Sequence, residues 1–173
     1  LAIKTVRHHK LIQGYIALGI GLRLLLLFSV PNLSDDVYRY LWDGHLWLNG
    51  INPFVHPPSY YLQHPPLPVG LTTDLYAKLN SPDYHTIYPP VAQGLFSFSC
   101  ALFPKNSYGS IVVMKAMVFL AELGSLRLLG LLLKQKGLPA AHILFYALNP
   151  LIILELTGNL HLEALMIFFL LLS

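Results

Sequence analysis

The stretch LIQGYIALGIGLRLLLLFSV, residues 11–30, carries a single charge, Arg23. An α-helix of that length is about 30 Å long, the thickness of the hydrocarbon core of a bilayer. No water is available there to the backbone, so such a chain must satisfy its peptide groups within helices. The remaining sequence agrees, with 11% charged and 55% apolar residues, where a soluble domain carries about a quarter charged. An all-α, polytopic transmembrane bundle is expected. The lysines and arginines are dispersed rather than striped, so nucleic acid is not an expected partner. Cys100 is the only cysteine and the eight histidines contain no HExxH, so neither a disulfide nor a zinc site is expected. Residues 11–30 are too long for a cleavable leader and lack a small-residue cleavage site.

Lys4, Arg7 and Lys10 precede this span, which places the N-terminus in the cytoplasm and Pro31 outside. Arg23 has two readings. It either snorkels to the outer interface or is a buried cation facing the bundle, where it can meet an anionic ligand. No segment between Pro31 and Tyr88 can span, and the aromatics there argue against disorder. Trp42 and Trp47 suit the headgroup level. Apolar segments then follow at about 90–104, 109–133, 138–156 and 161–173. If all of the first three cross, Lys134 and Lys136 fall outside, against the charge rule. A re-entrant or juxtamembrane segment at 90–104, bounded by Pro90 and Pro104, puts them inside and is favoured. The loop 31–108 is then extracytoplasmic, and TGNLHLE at 157–163 emerges on that side. Because the chain starts at Leu1 and stops within an apolar run at Ser173, residues 1–173 are read as the N-terminal part of one larger transmembrane domain.

The acids concentrate in SDDVYRYLWDGHLWLNG, residues 34–50. Ser34 followed by Asp35 and Asp36 reads as a helix start, the serine oxygen accepting an orphan N–H and the acids opposing the helix dipole. That reading needs no catalysis. Asp36, Arg39 and Asp43 fall along one helical face, with Val37, Leu41 and Leu48 roughly opposite, and Asn49-Gly50 ends the helix. The expectation is an interfacial helix at 34–49 whose polar seam faces a cavity. An ion-pair seam that only fixes the loop is the structural alternative. Thr157 or Asn159 can cap the next helix, with Glu163 an ordinary first-turn acid, but Glu155 and His161 at the same aqueous boundary also suit a site. Lys115 and Glu122 share a face of their span, too far apart to bond to each other. Tyr88 and Gln93 in YPPVAQ either rim a cavity or belong to a simple proline helix start.

Taken in order, SDDVYRYLWDGHLWLNGINPF, YPPVAQ and NPLIILELTGNLHLE resemble the bacterial members of the GT-C glycosyltransferase superfamily. They are nearest to the multi-spanning mannosyltransferases that use polyprenyl-phosphate sugars, and the resemblance covers most of the chain from Arg23 onward. It implies an enzyme of the cytoplasmic membrane with juxtamembrane helices in its first extracytoplasmic loop. It also implies acidic catalytic residues at Asp35 and Asp36, a second polar motif at Asn159, His161 and Glu163, and an inverting transfer. Tyr38 lies within the first motif and joins the substrate-binding candidates. DD in place of a strict D-x-D leaves a divalent cation open.

The layout suits that chemistry. A nucleotide sugar is reached from the cytoplasm, whereas these acids lie outside, where a lipid-linked donor is delivered within the bilayer. One of the two aspartates takes a proton from an acceptor hydroxyl of a glycan or lipid. Arg39 or Arg23 stabilises the departing phosphate. The rivals are a transferase of lipid-linked oligosaccharide or a polymer ligase, and a transporter whose pathway is lined by Lys115, Glu122 and Arg23.

Overall fold

The structure is a computed structural model and describes residues 2–173, with side chains from residue 9 onward. The side chains of Lys4, Arg7 and His8 lie outside the described residues. The described chain is helical and contains no strand. In order, α1 (Ala2–Leu27) is followed by α2 (Asp36–Leu48), the short α3 (Pro58–Gln63) and α4 (Thr73–Tyr76), α5 (Pro90–Leu102) and the long α6 (Ser107–Gln135). A 3₁₀ turn (Ala140–Ile143) leads into α7 (Leu144–Ala147). Then α8 (Pro150–Ile152) opens into a π-helical turn (Ile153–Gly158), and α9 (Glu163–Leu172) follows. The contacts divide the chain into two compact units, Leu1–Ser29 with Lys115–Ser173, and Val30–Met114.

Two described helices, His9–Leu27 and Ser107–Gln135, are long and apolar enough to cross a membrane, and residues 115–135 of the second lie in the first unit. They run antiparallel. Ile12 packs with Leu126, Arg23 meets Glu122, and the Leu26 carbonyl meets Lys115. The segment read as a span at 138–156 is a bent pair, Ala140–Ala147 and Pro150–Gly158, with 48° between its halves. Pro150 has no N–H and breaks the ladder. The N–H of Leu151 goes to Asn149 Oδ1 at 3.0 Å, which leaves the Ala147 carbonyl open.

Arg23 uses that opening. Its Nη1 donates to Ala147 O at 2.7 Å and to Gly19 O at 3.0 Å, and its Nε donates to Glu122 Oε2 at 3.0 Å. A side chain at Gly19 would collide with the Ala147 carbonyl, so the bare backbone is what lets α7 approach α1 here. Arg23 and Glu122 are both fully buried, and the Thr157 hydroxyl also donates to Glu122. The snorkelling reading of Arg23 is thus overturned. An acid and orphan carbonyls at its own depth hold the guanidinium, and it has no need to reach water. Lys115 is held in the same manner, donating to Leu26 O at 2.6 Å, Ser29 O at 2.7 Å and Gly158 O at 3.0 Å. It ties the C-terminal end of α1, where a cation is favoured, to the end of the π-helical turn.

The second unit is built on α2 against α5. Gly44 sits where a Cβ would lie 2.7 Å from both Cys100 Sγ and the Phe96 carbonyl, and its lack of a side chain allows the two helices to close. Tyr40 stacks on Phe96 with ring centroids 4.5 Å apart. On another side, Trp42 is fully enclosed by Tyr61, Leu71 and Leu79. Trp42 thus meets protein on every side. Residues 51–88 fold over α2 and supply it with apolar partners, so only Trp47 reaches solvent, at 37% exposed. The polar side of α2 is covered by chain in the same way. Most of α2 is buried, Arg39 and Asp43 included, while Trp47 and Leu48 are exposed. The helix stops at Asn49, with Gly50 at φ +70°. Pro89 and Pro90 start α5, which ends before Pro104. At 13 residues it is about 20 Å long, short of a bilayer crossing. Val91, Phe98 and Leu102 form an exposed apolar stripe along it.

Candidate active site

The N-terminus of α2 separates its two aspartates by environment. Ser34 Oγ accepts the Asp36 N–H at 3.3 Å, so the serine does the work of starting the helix. Asp35 occupies the cap position, yet its carboxylate accepts no cap hydrogen bond and it is exposed. Asp36, half-buried, is held from the loop that follows. Asn80 Nδ2 donates to its Oδ1 at 3.2 Å, and the Tyr88 hydroxyl also bonds to it. Burial, and then the charge of Asp36, push the Tyr88 hydroxyl up to about 12. The phenol therefore stays protonated and donates at any physiological pH.

One turn further on, Arg39 Nε donates to Asp43 Oδ1 at 2.9 Å, an i,i+4 pair. Arg39 Nη1 donates to Tyr84 O at 3.0 Å. The second oxygen of Asp43 accepts Gln93 Nε2 at 2.9 Å, and that amide also donates to Thr86 Oγ1 at 2.9 Å. The Trp47 indole donates to Gln93 Oε1 at 3.2 Å. Asp43 is fully buried, Gln93 is 1% and Arg39 5% exposed. The seam expected to face a cavity is closed. These three side chains fasten residues 81–93 onto α2, which is the structural alternative, and Arg39 is not open to a departing phosphate. His45 lies in the same helix, and burial holds its imidazole below its usual range.

The second polar motif belongs to the first unit. The π-helical turn shifts Glu155 and Thr157 out of α-helical register; such turns recur at functional sites. Leu160, fully buried, sits at φ 62°, a left-handed backbone that is uncommon for a branched side chain. Neither Thr157 nor Asn159 caps α9, whose cap position is Leu162 without a side-chain bond. Thr157 is turned to Glu122, and Asn159 Nδ2 donates to Glu155 Oε2 at 3.1 Å. His161 lies 3.8 Å from Glu155 and 4.0 Å from Glu163, too far for hydrogen bonds. Its buried Nε2 has no hydrogen-bond partner among the described residues.

The structure thus brings Asp35, Asp36, Tyr38, Arg39, Asp43, Tyr88 and Gln93 into one unit, and Glu155, Asn159, His161 and Glu163 into the other. Arg23 joins neither cluster. Arg23, Glu122 and Lys115 are all fully enclosed and bonded, a poor fit to a transport pathway. Among the described residues no group of three or more His, Cys, Asp or Glu is placed to hold a metal ion. Asn80 and Thr86, which hold the site together, carried no sequence signal, because they lie in irregular chain without a period.

A family model described as alpha-(1->6)-mannopyranosyltransferase, N-terminal domain, matches residues 23–173. No curated protein and no solved structure matches the chain.

Proposed function

The chain belongs to the alpha-(1->6)-mannopyranosyltransferase family, and on that premise we propose a GT-C-type enzyme drawing mannose from a polyprenyl-phosphate donor. The acceptor is a hydroxyl at the extracytoplasmic face, and Asp35 is the general base. One observation carries the assignment of the base. Asp35 is the exposed acid of the pair, mounted at the start of a helix whose next turns are largely buried, while Asp36 is engaged by Asn80 and Tyr88. A base must be reachable by substrate and held still by its scaffold. In the reaction the acceptor oxygen forms a bond to C1 of the mannosyl group as its proton passes to the Asp35 carboxylate. The C1–O bond to phosphate breaks, and its electron pair leaves with the polyprenyl phosphate. Inversion at C1 gives the α linkage of the family name from a β-linked donor.

The antiparallel pairing of α1 and α6 supports the outer location. It puts Lys10 at the same end of the first unit as Lys134 and Lys136, and basic ends favour the cytoplasm. His9 and Lys134 line one cavity at that end. The opposite ends of both helices then face outward, and residues 30–106 need no crossing between them.

The full-length protein in proteoliposomes is expected to transfer radiolabelled mannose from polyprenyl-phosphate mannose and not from a nucleotide-linked mannose. Transfer from the nucleotide sugar alone would overturn the donor assignment. Sidedness has its own measurement, with single cysteines in a Cys100→Ser background. Glu163→Cys, at an exposed residue, is expected to react with an impermeant maleimide on intact cells, and Lys136→Cys only after permeabilisation. The reverse pattern would place this chemistry in the cytoplasm.

A further inference from the structure

Within the second unit, we infer that the cleft bounded by α2, α4 and the start of α6 is the subsite for a carbohydrate acceptor. The inference rests on the transferase reading above. The cleft has a volume of about 310 Å³, at the lower end of the range for ligand sites, about 300–1,000 Å³, and suited to one or two hexose rings. Its lining combines the apolar Leu41, Leu75 and Ile111 with Tyr38, Asp74, Lys78 and Tyr108. Thr72 and Ser107 also line it.

This set of groups matches a sugar more closely than a phosphate. A hexose offers an apolar ring face, which packs on an aromatic side chain, and a girdle of hydroxyls that both donate and accept. Tyr108 is 46% exposed and supplies ring surface at the cleft, as does Tyr38. Asp74 accepts, Lys78 donates, and the hydroxyls do either. The carboxylate and the ammonium balance one another, whereas an anionic headgroup is met by an excess of cations and by the bidentate fork of arginine. No arginine lines the cleft. Lys78 already sits over the Tyr38 ring, its Nζ 5.3 Å from the centroid, so the ammonium is positioned rather than free to chase a phosphate.

Placement relative to the base is the second observation. Asp35 and Tyr38 are three residues apart at the start of α2, and the Tyr38 N–H donates to Asp35 O at 3.1 Å. Tyr38 and Leu41 continue the same side of the helix, so the cleft lies about one turn, roughly 5 Å of rise, from Asp35. The stripe of Asp36, Arg39 and Asp43 lies elsewhere on α2 and is closed by residues 80–93. Neither aspartate lines the cleft, and Asp35 is the exposed one of the two beside it in sequence.

Two measurements on the full-length protein in nanodiscs test the assignment. Calorimetric titration with α-1,6-mannobiose, without donor, is expected to show binding that Tyr108→Ala, Asp74→Asn and Lys78→Met each weaken by about tenfold or more, about 1.4 kcal/mol. In steady-state transfer the same variants are expected to raise the KM for acceptor and to leave the KM for donor where it was. Lys78→Met and Asp74→Asn alter exposed side chains and serve where Tyr108→Ala disturbs folding. A rise in donor KM instead would assign the cleft to the lipid phosphate, and unchanged binding in all three variants would make it solvent space; either overturns the proposal. Tyr108-dependent binding of mannobiose by a protein that transfers nothing from a lipid-linked donor would sink the transferase reading and leave the cleft standing.

Discussion

Replacing Asp35 with asparagine is expected to slow mannosyl transfer by about 10²–10⁴-fold, the usual contribution of a general base. The amide keeps the size and polarity of the side chain but cannot take the proton. Asp35 makes no cap bond and is exposed, so folding should survive and the loss should fall on turnover. Asp36→Asn is the informative companion. An amide oxygen at that position still accepts from Tyr88 and Asn80, so the local fold holds and a smaller loss is expected. Initial rates at saturating donor, normalised to folded protein, decide between them. If Asp36→Asn is the more damaging, the base has been assigned to the wrong carboxylate.

The largest stability effect is expected at Glu122. Its carboxylate is fully buried and is bonded by Arg23 and Thr157. Glu122→Leu leaves the Arg23 guanidinium buried without its anion, a change that costs about 3–5 kcal/mol. The double variant Arg23→Leu with Glu122→Leu removes both charges and is expected to regain most of that loss, because two apolar side chains of similar size replace the pair. Denaturation midpoints in detergent for the four members of the cycle give the coupling. A double variant as unstable as Glu122→Leu alone would show that the pair does not hold α1 to α6.

How much of this was legible beforehand differs by element. The helices at 11–30 and 109–133 were readable because an apolar run of bilayer length has one viable conformation. The start and stop of α2 were readable too, since Ser34 and Asn49-Gly50 act on neighbouring backbone. Its surroundings were not. Helical spacing places Asp36, Arg39 and Asp43 on one side of α2, but spacing is silent on what covers that side. The cover comes from Asn80, Tyr84 and Gln93, and the bond from Gln93 to Asp43 joins residues 50 apart. Arg23 was ambiguous for the same reason, its partner Glu122 lying 99 residues away.

By itself, then, the sequence determines that this chain is helical, membrane-embedded and of a mannosyltransferase family, because composition, run length and contiguous motifs are local properties. The tertiary structure alone decides which of its acids are spent on holding the fold. Asp43 and Glu122 are enclosed and paired, Asp36 is tethered, and Asp35 is left open at the end of a fixed helix. The physical reason is that desolvation and partnering depend on chain brought in from far along the sequence, and two adjacent aspartates alike in every local respect are told apart only by what folds over them.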